Sequence, residues 1–317
     1  MSVSASISEP ALARQWRVRP SAGVFGAVML MLIALPCVLT LPISLRRYDQ
    51  QQVTGAQSRG FEAPSWSEPM GADSLGRPLL WRCALGGAIS LGIGLAAALI
   101  SVLIGVTWGA LAGYIGGHTD SAMMRIVDVL YGLPYILLVV LVNLALQPTV
   151  RWALATVVGQ AAAGGLADLV TLLIAIGGVS WLTMARVIRG QVLSLRAQPF
   201  IEAARACGVG PWRILRVHLL PNLVGPIVVY TTLTVPTAIL QESFLSFLGI
   251  GVQPPLPSWG NLAADGLSEL HALGLGIGAV RWWLLAWPCV LLGLTLLSLN
   301  LLGDALRNRL DPRGSRS

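Results

Sequence analysis

The stretch "GGAISLGIGLAAALISVLIGVTWGALAGYIGG", Gly86 to Gly117, lies inside a run from Cys83 to Thr119 that carries no formal charge. Crossing the hydrocarbon core of a bilayer takes about 20 predominantly apolar residues. In lipid a segment must satisfy its own backbone N–H and C=O groups, so the run is read as a membrane helix. Gly92, Gly105, Gly109 and Gly113 are small residues that permit close helix approach. They read as a packing face rather than a pore lining.

The composition agrees. Of 317 residues 55% are hydrophobic and 11% charged, against about 25% charged in an average soluble domain. The mean hydropathy is +0.73. The fold class expected is all-α, a polytopic membrane protein with six transmembrane helices.

Working outward, Pro20 to Leu45 is uncharged and follows Arg14, Arg17 and Arg19. It is too long for a signal-peptide core and no small-x-small cleavage site follows, so an uncleaved first helix is expected over 22–45, after a tail at 1–21. Pro36 and Pro42 would kink or end it. Residues 46–82 are polar and turn-rich and read as an extramembrane loop. A five-helix core is expected over 83–304. "HTDSAMMRIVD" is a short polar link to a third span, Val129 to Val150. Trp152 to Ala167 is short for a span and reads as interfacial or re-entrant. The fourth span is expected over Leu169 to Ala185, starting near Leu166, then a polar hairpin over 186–222. The fifth runs Leu223 to Gln241, broken by Pro226 and Pro236. "FLGIGVQPPLPSWGNLAADG" reads as a proline-rich loop, and Trp282 to Gly303 as the sixth span, with Trp282, Trp283 and Trp287 suited to a membrane interface. Residues 305–317 form the last tail.

Six spans put both termini on one side. That side, with the hairpin, would hold Arg14, Arg17, Arg19, Arg125, Arg186, Arg189, Arg196, Arg205, Arg213, Arg216, Arg307, Arg309, Arg313 and Arg316. The other would hold Arg46, Arg47, Arg59, Arg77, Arg82, Arg151 and Arg281. Cytoplasmic loops carry the excess of positive charge, so termini and hairpin are expected in the cytoplasm. The same rule accounts for the net charge of +7 better than nucleic acid does.

Chemistry is sparse. Cys37, Cys83, Cys207 and Cys289 form no C-x-x-C pair, and His118, His218 and His271 lie far apart, so no metal centre is expected. No clustered catalytic set occurs, which argues against an enzyme. The chain contains no lysine, so it cannot hold the G-x-x-x-x-G-K-[ST] loop that cradles nucleotide phosphates.

The polar hairpin contains "EAARACGVGPWRILRVHLLPN", Glu202 to Asn222. Gly208 sits where a left-handed C-terminal cap would fall, Pro211 suits a first helical turn, and Pro221 would terminate the second short helix. Ala203, Ala204 and Cys207 give a small face, flanked by Glu202, Arg205, Arg213 and Arg216. Such a helix suits docking into a groove of another protein; a solvated loop is the other reading.

The spacing from Glu202-Ala203-Ala204 through Gly208 and His218 to Leu220-Pro221 resembles the signature of binding-protein-dependent ABC importer permeases. "GADSLGRPLLWR", "GYIGGHTDSAMMRIVDVLYGLP", "ESFLSFLGIGVQPPLPSWGNLAADG" and "LNLLGDALRNRLDPR" resemble the dipeptide/oligopeptide/nickel subgroup in family order. Ala72 stands where that family usually has Thr, and Pro78 where it has Asp. The resemblance implies the transmembrane domain of a type I ABC importer in a bacterial inner membrane, moving peptides or a related small solute. It implies a second permease subunit, two cytoplasmic ATPase subunits holding ATP and Mg, and an external solute-binding protein. This chain would hold no cofactor itself. Glu202, Ala203, Ala204, Arg205, Gly208, His218 and Pro221 would form the ATPase-coupling element. The substrate-binding residues stay unassigned.

Ionisable groups within spans are functional candidates. Glu242 falls at the outer end of the fifth span and Asp128 at the inner start of the third, where it could pair with Arg125; helix-end placement at the interface is the simpler reading of both. His218 could sense pH, but a turn-stabilising or docking role is the simpler reading. "QPPLPSWG" could touch an external partner or be a rigid loop. The rival reading, an ion-coupled secondary transporter, would need inverted repeats and mid-span carboxylates, neither of which is evident.

Overall fold

A computed structural model of the chain describes residues 20–51, 53–54, 57–58, 60–274 and 281–310. The tails at 1–19 and 311–317, with Arg14, Arg17, Arg19, Arg313 and Arg316, lie outside the described residues, as do Arg59 and the side chain of His271.

In chain order the helices are α1 (Pro20–Leu39), α2 (Leu41–Arg47), α3 (Leu79–Ile115), α4 (Gly117–Tyr131), α5 (Tyr135–Val158), α6 (Gln160–Arg196), α7 (Pro199–Ala206), α8 (Pro211–Arg213), α9 (Leu220–Phe247), α10 (Trp259–Gly274) and α11 (Trp283–Leu310). A π-helical segment, Ile214–Leu219, joins α8 to α9. A two-residue antiparallel pair, Val53–Thr54 with Gln57–Ser58, sits in the loop after α2. Among the described residues six helices are long and apolar enough to cross a membrane: α1, α3, α5, α6, the continuous Pro211–Phe247 and α11. The all-α, six-span fold is the one expected.

α3 and α6 each have 37 residues, which at about 1.5 Å per residue is about 55 Å, well beyond a hydrocarbon core of about 30 Å. They run parallel in constant register. A Cβ on Gly105 would meet Met184, one on Gly109 would meet the Arg189 nitrogen and Ile188, and one on Gly113 would meet the Arg189 carbonyl and Val192. Gly177 on α6 returns the approach, against Ile100 and the Ala97 carbonyl. Helices in lipid gain little from hydrophobic burial against each other, so a close backbone seam that maximises dispersion holds the pair. Gly92 differs: nothing lies within 4 Å of where its Cβ would be. Of the four glycines in the packing face, three pack.

The cluster around this seam joins Ala97, Leu172, Ala175, Ile176 and Val179 to Val127 of α4, Val139 of α5 and Ala238 of α9. Trp108 and Trp181 meet edge to face, ring centres 5.1 Å apart. At the lower end of the seam the chain turns through Gly116 and Gly117, at φ +72° and +60°. Only glycine takes such angles without strain. Arg196 caps α3 there, donating to the Tyr114 carbonyl at 3.1 Å. Arg189 grips Asp120 with two bonds of 2.6 Å, Nε to Oδ1 and Nη2 to Oδ2. Asp120 also lies in the first turn of α4, where a carboxylate suits the helix dipole.

At the opposite end, Asp73 organises the loop before α3. It accepts from the Leu75 and Arg77 amides at 3.0 and 2.9 Å, from Arg77 Nε at 2.7 Å, and from buried Arg82. Trp283, at the start of α11, packs beneath this loop with its indole N–H toward the Ala72 carbonyl, and is buried. Trp259 is fully buried against Gly87 and donates to the Cys83 carbonyl at 3.0 Å.

Several element bounds depart from expectation, each for a local reason. α1 accommodates Pro36 and stops at Leu39, because Pro42 opens α2 and has no N–H to extend α1. The polar link is itself helix α4, one side of which buries Met124 and Val127, so the third span starts at Tyr135 after Pro134. Trp152 to Ala167 is not re-entrant: it divides between the end of α5 and the start of α6 at Gly159, whose φ is +83°. α6 continues to Arg196 because Arg186, Arg189 and Arg196 each find a carboxylate or carbonyl partner, which confines the hairpin to Pro199–Leu219. Pro221 terminates nothing: it opens α9, and the wider turn of the π segment delivers the chain to it. α9 runs unbroken through Pro226 and Pro236, as membrane helices allow. The proline-rich loop becomes helical from Trp259, and α11 extends to Leu310. Asp128 pairs with Arg186 at 2.9 Å, not with Arg125.

A Gly109→Leu variant should lose about 1–3 kcal/mol of stability by overpacking the seam, read as a lower melting temperature in detergent, whereas Gly92→Ala should melt as wild type. The Arg189 hydrogen bonds hold the Asp120 carboxyl below the usual carboxylate range. A depressed folded value means stability that is present above about pH 4, the unfolded carboxylate value, and is lost as pH falls through the folded one. Melting temperature should drop on acidification below that point. Asp120→Asn should flatten the drop and cost about 2 kcal/mol at neutral pH.

Candidate coupling hairpin and interhelical cavities

The hairpin begins where α6 ends. Gln198 is extended and Pro199 takes the first position of α7, the place where a missing N–H costs nothing. α7 ends in a Schellman cap: the Gly208 N–H donates to the Arg205 carbonyl at 2.9 Å and the Val209 N–H to the Ala204 carbonyl at 3.0 Å. Gly208 lies at φ +75°, the left-handed conformation that this cap requires. Gly210 and Pro211 then start the second arm. The cap expected at Gly208 and the restart expected at Pro211 are both present.

Four side chains hold the hairpin to the bundle. Ile201 of α7 and Ile214, Leu215 and Leu219 of the second arm are buried against Met184, Ile188 and Val192 of α6. Burying such a side chain is worth about 1.5–3 kcal/mol. The remainder faces outward: Glu202, Ala203, Arg205, Cys207 and Gly208 are exposed, Ala204 and His218 half-buried, Pro221 exposed. Large apolar side chains lie among them. Trp212 is 69% exposed, Val217 53% and Phe200 43%. One face is thus anchored to α6 and the other is a mixed apolar and charged surface left uncovered by the described residues. His218 sits in the π segment and its carbonyl accepts from Asn222 Nδ2 at 2.6 Å.

Between α4, α5, α6 and α9 lies a cavity of about 520 Å³. Its lining includes three tyrosines, Tyr135 among them, and the polar side chains of Ser180, Thr183, Thr234, Thr237 and Gln241. Tyr135 Oη donates to Gln241 Oε1 at 2.6 Å and lies 3.2 Å from Ser180 Oγ. None of the lining side chains is charged. Sequence reasoning sought carboxylates within spans and passed over this group. The available signal was a hydroxyl or amide in three separate apolar helices, which says nothing of contact until the helices are placed.

Glu242 lies near the end of α9, as expected, but inside the protein. It is fully buried, accepting from Ser246 Oγ at 2.8 Å and Ser243 Oγ at 3.2 Å. Ser246 Oγ in turn accepts the Val252 N–H at 3.0 Å, and Asn261 donates to the Val252 and Leu256 carbonyls. The carboxyl therefore pins the "QPPLPSWG" loop onto α9. Asp128 is exposed at the hairpin end, with Arg186 also stacked 4.3 Å above the Tyr131 ring. Among the described residues no group of His, Cys, Asp and Glu is placed to hold a metal.

The family model described as "Binding-protein-dependent transport system inner membrane component" matches residues 105–316. The oligopeptide transport system permease protein OppC of Escherichia coli K12 is 43% identical over 303 residues, covering 95% of this chain and 90% of its own length. The dipeptide transport system permease protein DppC of Bacillus subtilis is 41% identical over 292 residues, covering 92% and 81%. In fold, the chain is similar to an inward-facing structure of the MetNI methionine ABC transporter, with a TM-score of 0.54 and 21% identity over 74% of this chain and 98% of that one. A six-span bundle bearing a capped, outward-facing hairpin, with relatives of this identity and coverage, belongs to the family of binding-protein-dependent transport system inner membrane components.

Proposed function

We propose that this chain is one permease subunit of an ATP-driven ABC importer for peptides. Family membership sets aside the ion-coupled alternative and an enzymatic role, and the two relatives named above are oligopeptide and dipeptide permeases. The observation that carries the mechanism is the hairpin. An element that is buried on one face and left with Trp212, Phe200, Glu202 and Arg205 exposed on the other fits a groove in a second protein. With no lysine for a phosphate loop, the chain needs ATPase subunits, and the hairpin is their socket plug. Glu202, Ala203, Ala204, Arg205 and Gly208 lie at the contact; His218 and Pro221 shape the exit into α9.

The arginine bias puts hairpin and termini in the cytoplasm. ATP binding on two partner ATPases moves the hairpins, and the spans exchange between inward- and outward-open states, a two-state equilibrium biased by the docked partners. The uncharged, hydroxyl-rich cavity around Tyr135 and Gln241 faces a second, homologous permease subunit across the path. It offers hydrogen bonds without a fixed charge, which suits a peptide backbone passing through. An external solute-binding protein delivers the peptide at the opposite end.

Glu202→Arg, at an exposed position, should leave membrane insertion and melting temperature unchanged while reducing coupled peptide uptake by about tenfold, the loss of about 1.4 kcal/mol of docking energy. Gly208→Pro should uncouple as well, by destroying the cap. Normal uptake by both variants, or purification of the intact assembly with no ATPase chain, would sink this reading.

A further inference from the structure

A second, smaller cavity of about 230 Å³ lies where α5 and α6 meet the segment after α9, at the end of the bundle away from the hairpin. Its polar lining is Asn143, Gln147, Asp168 and Gln253. All three amides use their NH₂ groups on the protein. Asn143 Nδ2 donates to the Ile250 carbonyl at 3.3 Å, Gln147 Nε2 to Asp168 Oδ1 at 2.9 Å, and Gln253 Nε2 to the Gly249 carbonyl at 2.6 Å. Turning any of the three over would set oxygen against oxygen, so their orientation is dictated. What remains for an occupant is the second carboxylate oxygen of Asp168, with the side-chain oxygens of Gln147 and Gln253 and one further N–H each on Asn143 and Gln147. Asn143 is 7% exposed, and its Oδ1 is buried with no partner. A buried acceptor left unpaired costs about 1–3 kcal/mol. Among the described residues no arginine forms an ion pair with Asp168.

We propose that this cavity is a subsite for the ammonium group of the substrate, the free amino terminus of a peptide. The inference rests on the peptide reading above. An ammonium has three donors and no acceptor. It matches a cavity whose one charge is the Asp168 carboxylate, with amide oxygens beside it. The volume admits an amine and its first residue, not a whole peptide. Its position beyond the Tyr135–Gln241 cavity along α5, α6 and α9 makes it the first polar station at the delivery end. Asp168 supplies charge, and Gln147, donating to Asp168 Oδ1, fixes the orientation of the carboxylate.

Two measurements test this on the complete assembly. The first uses a Leu144→Cys reporter on the cavity wall, in a chain whose exposed Cys207 and Cys289 are replaced by serine. Glycinamide, a primary ammonium, should slow maleimide labelling several-fold and N-acetylglycinamide should not. Asp168→Asn should abolish the protection, and Asp168→Glu should restore part of it. Equal protection by both amides, none by either, or protection indifferent to Asp168→Asn overturns the subsite. The second compares uptake of a tripeptide with that of its des-amino analogue. Asp168→Asn should slow the tripeptide by about tenfold or more and leave the analogue, already slow, unchanged. Equal slowing of both overturns the subsite while leaving the peptide reading intact. Amine-specific labelling protection in an assembly that takes up no peptide would instead sink the peptide reading and keep an ammonium site.

Discussion

Gly105, Gly109 and Gly113 of α3 let its backbone run against that of α6, and the remaining helices take their places from that contact. Between helices in lipid there is little hydrophobic gain, so close dispersion contact must do the holding. The seam is secured at one end by the Asp120–Arg189 fork and by Arg196 over the end of α3. α9 reaches α3 by a similar device, Gly94 lying under Ile239. α5 lies on the other side of α6, which opens the Tyr135–Gln241 cavity between α5, α6 and α9.

The same seam sets the mechanics of the hairpin. α7 and the π segment rest on Met184, Ile188 and Val192, the residues of α6 that also face or flank the glycines of α3. A partner that displaces the hairpin therefore acts on a packed wall rather than on a loose loop. Cores at such density are bistable rather than continuously deformable, and transmit displacement. The π segment, which replaces the expected break before Pro221, keeps the hairpin continuous with α9, whose far end carries the Glu242-pinned loop and one wall of the small cavity around Asp168.

What was legible in the sequence was legible through composition and local geometry. Uncharged runs marked the spans because lipid admits only helices with satisfied backbones. Gly208 and Pro211 marked the cap and restart because left-handed and first-turn positions are chemically selective. The errors share one cause. Charge at Arg186, Arg189 and Arg196 suggested that a helix had ended, and proline at 221, 226 and 236 suggested breaks. Each inference assumed isolation, whereas α6 arginines find Asp128, Asp120 and carbonyls far away in the chain, and α9 rides over its prolines within a bundle. The burial of Glu242 was invisible for the same reason: its serine partners come partly from its own turn, but its cover comes from the loop folding over it.

By itself, then, the chain's order of residues determined the class of protein, the number of crossings, the side bias of its arginines and the rigid turn at the centre of the hairpin. These depend on solvent preference and on backbone angles, which are properties of short segments. Tertiary structure alone decided which glycines pack, which carboxylates pair, and which amides line a shared cavity. Those outcomes are set by neighbours from distant segments: Asn143, Gln147, Asp168 and Gln253 mean little apart, and line one cavity only when α5, α6 and the loop after α9 close around it.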